Sequence, residues 1–116
     1  MSFNKRLCFA CDLKDNLELI AEYKKYHAEG NAWPEITKSI KDTGIVDMQI
    51  YLTGNRMFMI MEVDASFDPD KKSKMDAENP KVQEWEELMW GFQQELPWAK
   101  KGEKWIALEQ IFQLEK

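Results

Sequence analysis

The chain has 116 residues, which suits one domain with a single hydrophobic core over residues 1–116. Its 16 basic and 21 acidic residues give a net charge of -5, which argues against a nucleic-acid partner because such proteins carry a basic patch. One histidine and two cysteines are too few for a zinc cage, so we expect no metal ion. No stretch approaches the roughly 20 apolar residues of a membrane span, and no signal-type segment is evident. We therefore expect a cytoplasmic protein with no membrane partner.

The first predicted element is a strand over residues 5–13, which contains both cysteines, Cys8 and Cys11. Residues three apart on a strand point to opposite faces of the sheet. A redox Cys-x-x-Cys pair usually begins a helix, whereas this pair lies inside a strand. The spacing therefore predicts two reduced structural thiols rather than a disulfide.

A helical segment in two parts comes next. Asp15 or Asn16 is a suitable cap for a helix through about Glu29, with residues 17, 20, 21, 24 and 27 on one face. The stretch 30–32 interrupts it. Pro34 then favours the first turn of a second helix, which Gly44 ends.

The rest of the chain alternates strands and helices. Residues 45–53 and 56–64 are predicted strands joined by a tight hairpin at Thr53-Gly54-Asn55. Two helical stretches follow, a charged connection begun by Asp68-Pro69-Asp70 and a helix over residues 81–95 that Pro97 ends. The final element is a strand over residues 105–114.

This order, β-α-β-β-α-β with a broken first helix, is that of ferredoxin-like α+β folds. It predicts an antiparallel sheet with helices on one face. The methionine and aromatic content of the two central strands indicates that the second face is not polar either. Pairing of two such sheets in a homodimer would cover that face.

His27 is the only side chain with an unperturbed pKa near neutrality, and Tyr23 lies one helical turn before it. An imidazole and a phenol on one helix face are able to bind a polyol and exchange its protons. The alternative is a structural histidine at a helix end, packed on the tyrosine and hydrogen-bonded to a carbonyl. A lone histidine is a weak signal by itself.

The tryptophans are candidate stacking platforms, since indole rings pack on the C–H face of a sugar; they are Trp33, Trp85, Trp90, Trp98 and Trp105. A tryptophan at this spacing is also a common core residue. Glu86 either faces the pocket or faces water, and both readings stay open.

Four ordered stretches give a resemblance to a known family. The sequence resembles the L-rhamnose mutarotase family in Tyr23–His27 with Trp33–Ile36, in Tyr51 with residues 58–63, in residues 82–85 with Leu88-Met89, and in residues 111–114. The resemblance implies a dimeric α/β barrel that interconverts the α and β anomers of a 6-deoxy sugar. It implies that His27 is the general acid and that Tyr23 and Trp85 contact the sugar.

Two departures fall at positions that the resemblance marks as substrate contacts. Met48 replaces a tyrosine three residues before Tyr51, and Glu86 replaces the second of two adjacent tryptophans. Similar features mark a branch of the family that acts on L-fucose. We expect Tyr51 to form a wall of the pocket or to bind a second hydroxyl.

The resemblance therefore implies an isomerase, an aldose mutarotase acting on L-fucose or L-rhamnose, for which we expect no cofactor. Two other functions suit the same architecture. One is a cofactor-free monooxygenase with an aromatic substrate in an apolar cavity, and the other is a dimeric barrel that binds a small ligand without turnover.

Overall fold

The computed structural model describes residues 4–115, and within that range it has five strands and four helices. The strands are β1 (Lys5–Leu13), β2 (Ile45–Thr53), β3 (Arg56–Val63), β4 (Gln93–Gln94) and β5 (Ile106–Ala107). The helices are α1 (Leu17–His27), α2 (Pro34–Asp42), α3 (Pro69–Glu78) and α4 (Pro80–Trp90).

The sheet has the strand order β2-β3-β1-β4, and every pair is antiparallel. This is the ferredoxin-like arrangement, so the predicted α+β fold with an antiparallel sheet is confirmed. The edge of the sheet beside β1 is shared by two short strands. Strand β4 pairs with Asp12 and Leu13, and β5 pairs with Phe9 and Ala10 of the same strand. Strand β1 therefore lies between β3 on one side and two short segments on the other.

One face of the sheet packs against the helices and holds the core. Cys11, Leu13 and Met57 are at most 1% exposed and contact Ile20 and Met89 from α1 and α4. Burying each large apolar side chain of this kind contributes about 1.5–3 kcal/mol. The alternation predicted for β3 is confirmed, since its odd-numbered methionines lie on this side.

Both cysteines are free, as their spacing predicted. Cys11 lies on the helix-covered face, whereas the half-buried Cys8 lies on the opposite face. Burial raises the pKa of the Cys11 thiol to about 12, with a smaller contribution from the neighbouring Asp12. Cys11 is therefore a protonated core residue.

The caps of the helices follow the sequence, but one predicted helix face does not. The Asn16 side chain accepts a hydrogen bond from the Leu19 amide, and α1 begins at the next residue. Ile20 and Tyr23 are the buried residues of α1, while Leu17 is 85% exposed. The helix is rotated from the predicted face, and this rotation turns Tyr23 inward.

The last predicted helix is shorter than expected. It ends at Trp90, with Gly91 as the cap, rather than at Glu95 before Pro97. The Phe92 amide donates to the Met89 carbonyl, and the chain then turns to pair with β1. A strand of two residues, β4, has too little pattern for sequence analysis to detect.

The last predicted strand, residues 105–114, is present only as Ile106–Ala107. The Leu108 amide donates to the Cys8 carbonyl, and from there to residue 115 the chain has no regular structure. Its apolar side chains project into solvent, with Ile111 88% exposed and Phe112 73% exposed. Apolar alternation indicates a strand only where a partner strand is available.

We call the sheet face opposite the helices the open face. On it, Arg56 donates two hydrogen bonds to the buried Asp12 carboxylate, from Nε at 2.8 Å and from Nη2 at 3.2 Å. Trp98 lies over the guanidinium, 4.9 Å from the ring centroid, and is exposed. The open face also carries Tyr51 and the half-buried Phe58, and none of the four helices in residues 4–115 covers it.

Candidate active site

A cavity of about 520 Å³ lies between the helix-covered face of the sheet and the helices. This volume is in the usual range for small-molecule sites. Much of its wall is apolar and comes from strands β1, β2 and β3. Five of the predicted site residues line it, namely Tyr23, His27, Met48, Trp85 and Glu86.

Tyr23 and His27 form a stacked pair at the end of α1, with ring centroids 4.2 Å apart. His27 Nδ1 lies 2.9 Å from the Tyr23 carbonyl oxygen. Because a carbonyl oxygen only accepts, Nδ1 carries a proton and donates it to this bond. The remaining ring nitrogen, Nε2, is the atom that is free to gain or lose a proton.

The surroundings of His27 favour its neutral form. Desolvation by the protein around the ring lowers its pKa from the ordinary value of 6.5, and the bond to the Tyr23 carbonyl offsets part of that shift. The residue is nevertheless exposed to solvent overall, so this desolvation is partial. At neutral pH the imidazole is therefore neutral, with Nε2 unprotonated, and the residue lines the cavity.

The Tyr23 hydroxyl is fixed by a residue from the far end of the chain. Gln93 Nε2 donates to Tyr23 Oη at 3.2 Å, and each residue is 5% exposed. Burial raises the pKa of Tyr23 to about 12, although the bond from Gln93 acts in the opposite direction. Tyr23 therefore keeps its proton, and because its oxygen accepts from Gln93, its own hydrogen is free for a ligand.

Trp85 forms an aromatic wall beside the histidine. Its ring centroid lies 5.5 Å from that of His27 and 5.0 Å from that of Trp33. Tyr26 meets it edge-on at 6.2 Å. These contacts fix the orientation of a half-buried indole that also lines the cavity.

Of the other three predicted site residues, two line the cavity and one lies elsewhere. Glu86 is half-buried and lines the cavity, which favours the pocket reading over the solvent reading. Met48 also lines it. Tyr51 lies on the open face instead, 55% exposed, with its hydroxyl donating to Gln49 Oε1 at 3.3 Å. This corrects its expected placement in the pocket wall, because Met48 and Ile50 face the cavity and strand residues alternate.

Several further residues of the cavity wall were not predicted as site residues. Gln93 was placed in a helix, and the 70 residues between it and Tyr23 hide their contact. Lys104 and Trp105 line the cavity from the loop before β5. On α3 the lining residues are Pro69, Lys72, Ser73 and Asp76. Their i, i+3, i+4, i+7 spacing is a helix-face signal that was available from the sequence.

Within residues 4–115, no three histidine, cysteine, aspartate or glutamate side chains are grouped as metal ligands. No helix in the same range has the length and apolar character needed to cross a membrane. The absence of a cofactor stays a prediction.

Comparison with known proteins finds a matching family model and similar proteins. Residues 6–114 match the family model for L-rhamnose mutarotase. An L-fucose mutarotase of Xanthomonas campestris pv. campestris is 42% identical over 110 residues, covering 95% of this chain and 88% of that protein. The UPF0734 protein of Dictyostelium discoideum is 39% identical over 110 residues, covering 91% of this chain and 86% of that protein.

The fold also matches a solved structure. The crystal structure of an L-rhamnose mutarotase from Formosa agariphila superimposes with a TM-score of 0.68 at 27% sequence identity, covering 96% of this chain and 99% of that one. The match to the family model spans nearly all of the described residues. The chain belongs to the L-rhamnose mutarotase family, as its ordered motifs predicted.

Proposed function

We propose that this protein interconverts the α and β anomers of a 6-deoxy-L-hexose, with His27 as the acid/base group. L-fucose is the first candidate substrate, because the relative that shares 42% identity is an L-fucose mutarotase. L-rhamnose is the second. The observation that carries the proposal is the stacked Tyr23–His27 pair. A carbonyl holds Nδ1 of the imidazole, and the ring lies beside Trp85 in the wall of the cavity.

Anomer exchange requires the pyranose ring to open and close again. On opening, the anomeric hydroxyl loses its proton, the bond from the anomeric carbon to the ring oxygen breaks, and the ring oxygen gains a proton. The aldehyde then rotates, and the same steps in reverse give the other anomer. A group that serves both directions works best when its pKa lies near the operating pH.

The lowered pKa of His27 indicates that the imidazole enters this cycle in its neutral form. A neutral Nε2 first accepts a proton from the sugar, and the resulting imidazolium returns a proton as the ring closes. The general-acid role implied by the family resemblance corresponds to this second half of the cycle. The group that protonates the ring oxygen during opening is not assigned.

The other cavity residues have binding roles in the proposal. Tyr23 donates its hydroxyl hydrogen to the sugar, because its oxygen already accepts a hydrogen bond from Gln93. Trp85 packs on the C–H face of the ring. Glu86 accepts from a sugar hydroxyl, and Met48 supplies an apolar contact.

The test is exchange NMR between the two anomers of L-fucose and of L-rhamnose. Positioned acid/base groups contribute about 10²- to 10⁴-fold, so His27→Ala should reduce the catalysed rate by about that factor. Lys24→Ala, on the exposed side of the same helix, is the matched control and should keep the wild-type rate. An unchanged rate in a folded His27→Ala protein would remove His27 from the mechanism.

We also propose that the protein is a homodimer that buries the open face. Exposed aromatic residues on that face, together with the exposed apolar tail at residues 108–115, form the kind of surface that partners cover. Deleting residues 109–116 should shift the dimer toward monomer in analytical ultracentrifugation. A wild-type protein that sediments as a monomer at micromolar concentration would contradict the proposal.

The two free cysteines fit a reducing compartment, and we propose the cytoplasm. The monooxygenase and the non-catalytic barrel, which the sequence left open, are not favoured by the relatives found.

A further inference from the structure

Helix α3 turns an unusual face toward the cavity. A surface helix normally directs its apolar stripe inward, but α3 has no buried residue at all. The face that lines the cavity consists of Pro69, Lys72, Ser73 and Asp76. This wall therefore brings charge and hydroxyl groups to a cavity that is otherwise largely apolar.

Lys72 and Asp76 form an ion pair across one helical turn, with side chains only 27% and 15% exposed. The chain contains a natural comparison on α2, where Lys38 and Asp42 have the same spacing but are 76% and 45% exposed. The α2 pair is an ordinary surface ion pair of small net effect. The α3 pair is much less accessible to water, so both charges lose part of their hydration and a ligand in the cavity is able to replace it.

The chemistry of the pair fits a polyhydroxylated ligand. An aspartate carboxylate accepts hydrogen bonds from sugar hydroxyls, and a lysine ammonium donates to their oxygens. Hydrogen bonds to charged groups are about twice as strong as those between neutral groups. A fixed acceptor beside a fixed donor also distinguishes one hydroxyl configuration from another, because a misplaced hydroxyl leaves a half-buried charge unsatisfied.

Resting on the proposed function, we propose that Lys72 and Asp76 form a hydroxyl-recognition site that determines which deoxyhexose the cavity accepts. L-fucose and L-rhamnose differ in configuration at C2 and C4, so one donor–acceptor pair is sufficient to discriminate between them. The pair binds the sugar and sets its orientation relative to His27. It takes no part in the proton transfers.

The test measures kcat and KM for both sugars by exchange NMR in Asp76→Asn and Lys72→Met. We expect the ratio of kcat/KM values for the two sugars to change by about tenfold or more, through KM more than kcat. Lys38→Met and Asp42→Asn are the matched controls on α2 and should leave the ratio within about twofold of the wild type. An unchanged ratio in both α3 variants would overturn the proposal.

A charge-swapped double variant, Lys72→Asp with Asp76→Lys, separates recognition from structural support. It keeps an ion pair on the same turn but exchanges the positions of donor and acceptor. Recognition predicts that the sugar preference stays altered while the melting temperature returns toward that of the wild type. If the swap restores the wild-type preference, the pair is structural and the proposal is wrong.

The two proposals fail separately. Loss of exchange in His27→Ala together with an unchanged sugar preference in the α3 variants would retain the mutarotase and reject the recognition site. An active His27→Ala protein would instead reject the proposed mechanism.

Discussion

The two faces of the sheet are built from the same strands and differ in what covers them. On the helix-covered face, Met48, Met59 and Met61 line a cavity that Tyr23 and His27 also enter. On the open face, the polar anchor is the Asp12–Arg56 pair beneath an exposed Trp98. Tyrosine and tryptophan occur on both sides of the sheet. Residue type alone therefore does not identify the site. Helices α1 and α4 carry Tyr23 and Trp85 to the cavity, whereas strand alternation places Tyr51 on the open face.

We expect the two tryptophan variants to show the largest difference in KM between the two faces. Trp85→Ala removes the aromatic wall beside His27, and we expect KM to rise by about tenfold or more, equivalent to about 1.4 kcal/mol of lost binding. Trp98→Ala, on the open face, should change KM by less than about twofold. Titration of the two variants with L-fucose by exchange NMR measures both. Equal losses would mean that the open face also contributes to the site.

The two tyrosines give a finer comparison. Tyr23→Phe removes a buried hydroxyl that is bonded to Gln93, and we expect kcat/KM to fall by roughly five- to tenfold, the usual value for one hydrogen bond. Tyr51→Phe removes an exposed hydroxyl and should leave kcat/KM unchanged. A lower kcat/KM in Tyr51→Phe would show that Tyr51 contacts the substrate, as expected from the sequence.

The pH dependence of kcat/KM tests the role of His27 on the helix-covered face without any substitution. Desolvation lowers the pKa of His27 below 6.5, so the neutral base predominates at pH 7 and above. We expect kcat/KM to be constant near neutrality and to fall as the pH decreases through that pKa, approaching tenfold per unit below it. A rate that instead rises toward acidic pH would show that the imidazolium is the starting form.

The order of elements through α4 was predictable because each of these strands and helices has its own sequence period and its own turn residues. The Tyr23–His27 pair was also predictable, since a four-residue spacing on a helix fixes a contact without knowledge of the fold. His27 bonds to a carbonyl, as a structural histidine would, and it also lines the cavity. Its acid/base role stays a prediction.

The features that escaped prediction depend on contacts between distant parts of the chain. The apolar alternation of residues 105–114 indicated a strand, but β1 offers a partner only at Phe9 and Ala10. The face of α1 was misassigned because Leu17 looks like a core residue until its solvent exposure is known. Similarly, Lys72–Asp76 and Lys38–Asp42 are the same pattern in sequence, and only their burial separates them.

The central position of β1 has a consequence for how the protein is made. Within residues 4–115, β1 pairs only with β3, β4 and β5, which are all synthesised later. Pairing over such distances slows folding, because a long loop must close before any contact rewards it. The bond from Gln93 to Tyr23 spans 70 residues and forms only after most of the chain has been translated. The candidate site is therefore among the last parts of the molecule to be completed, and a truncated nascent chain contains its histidine without the rest of the cavity.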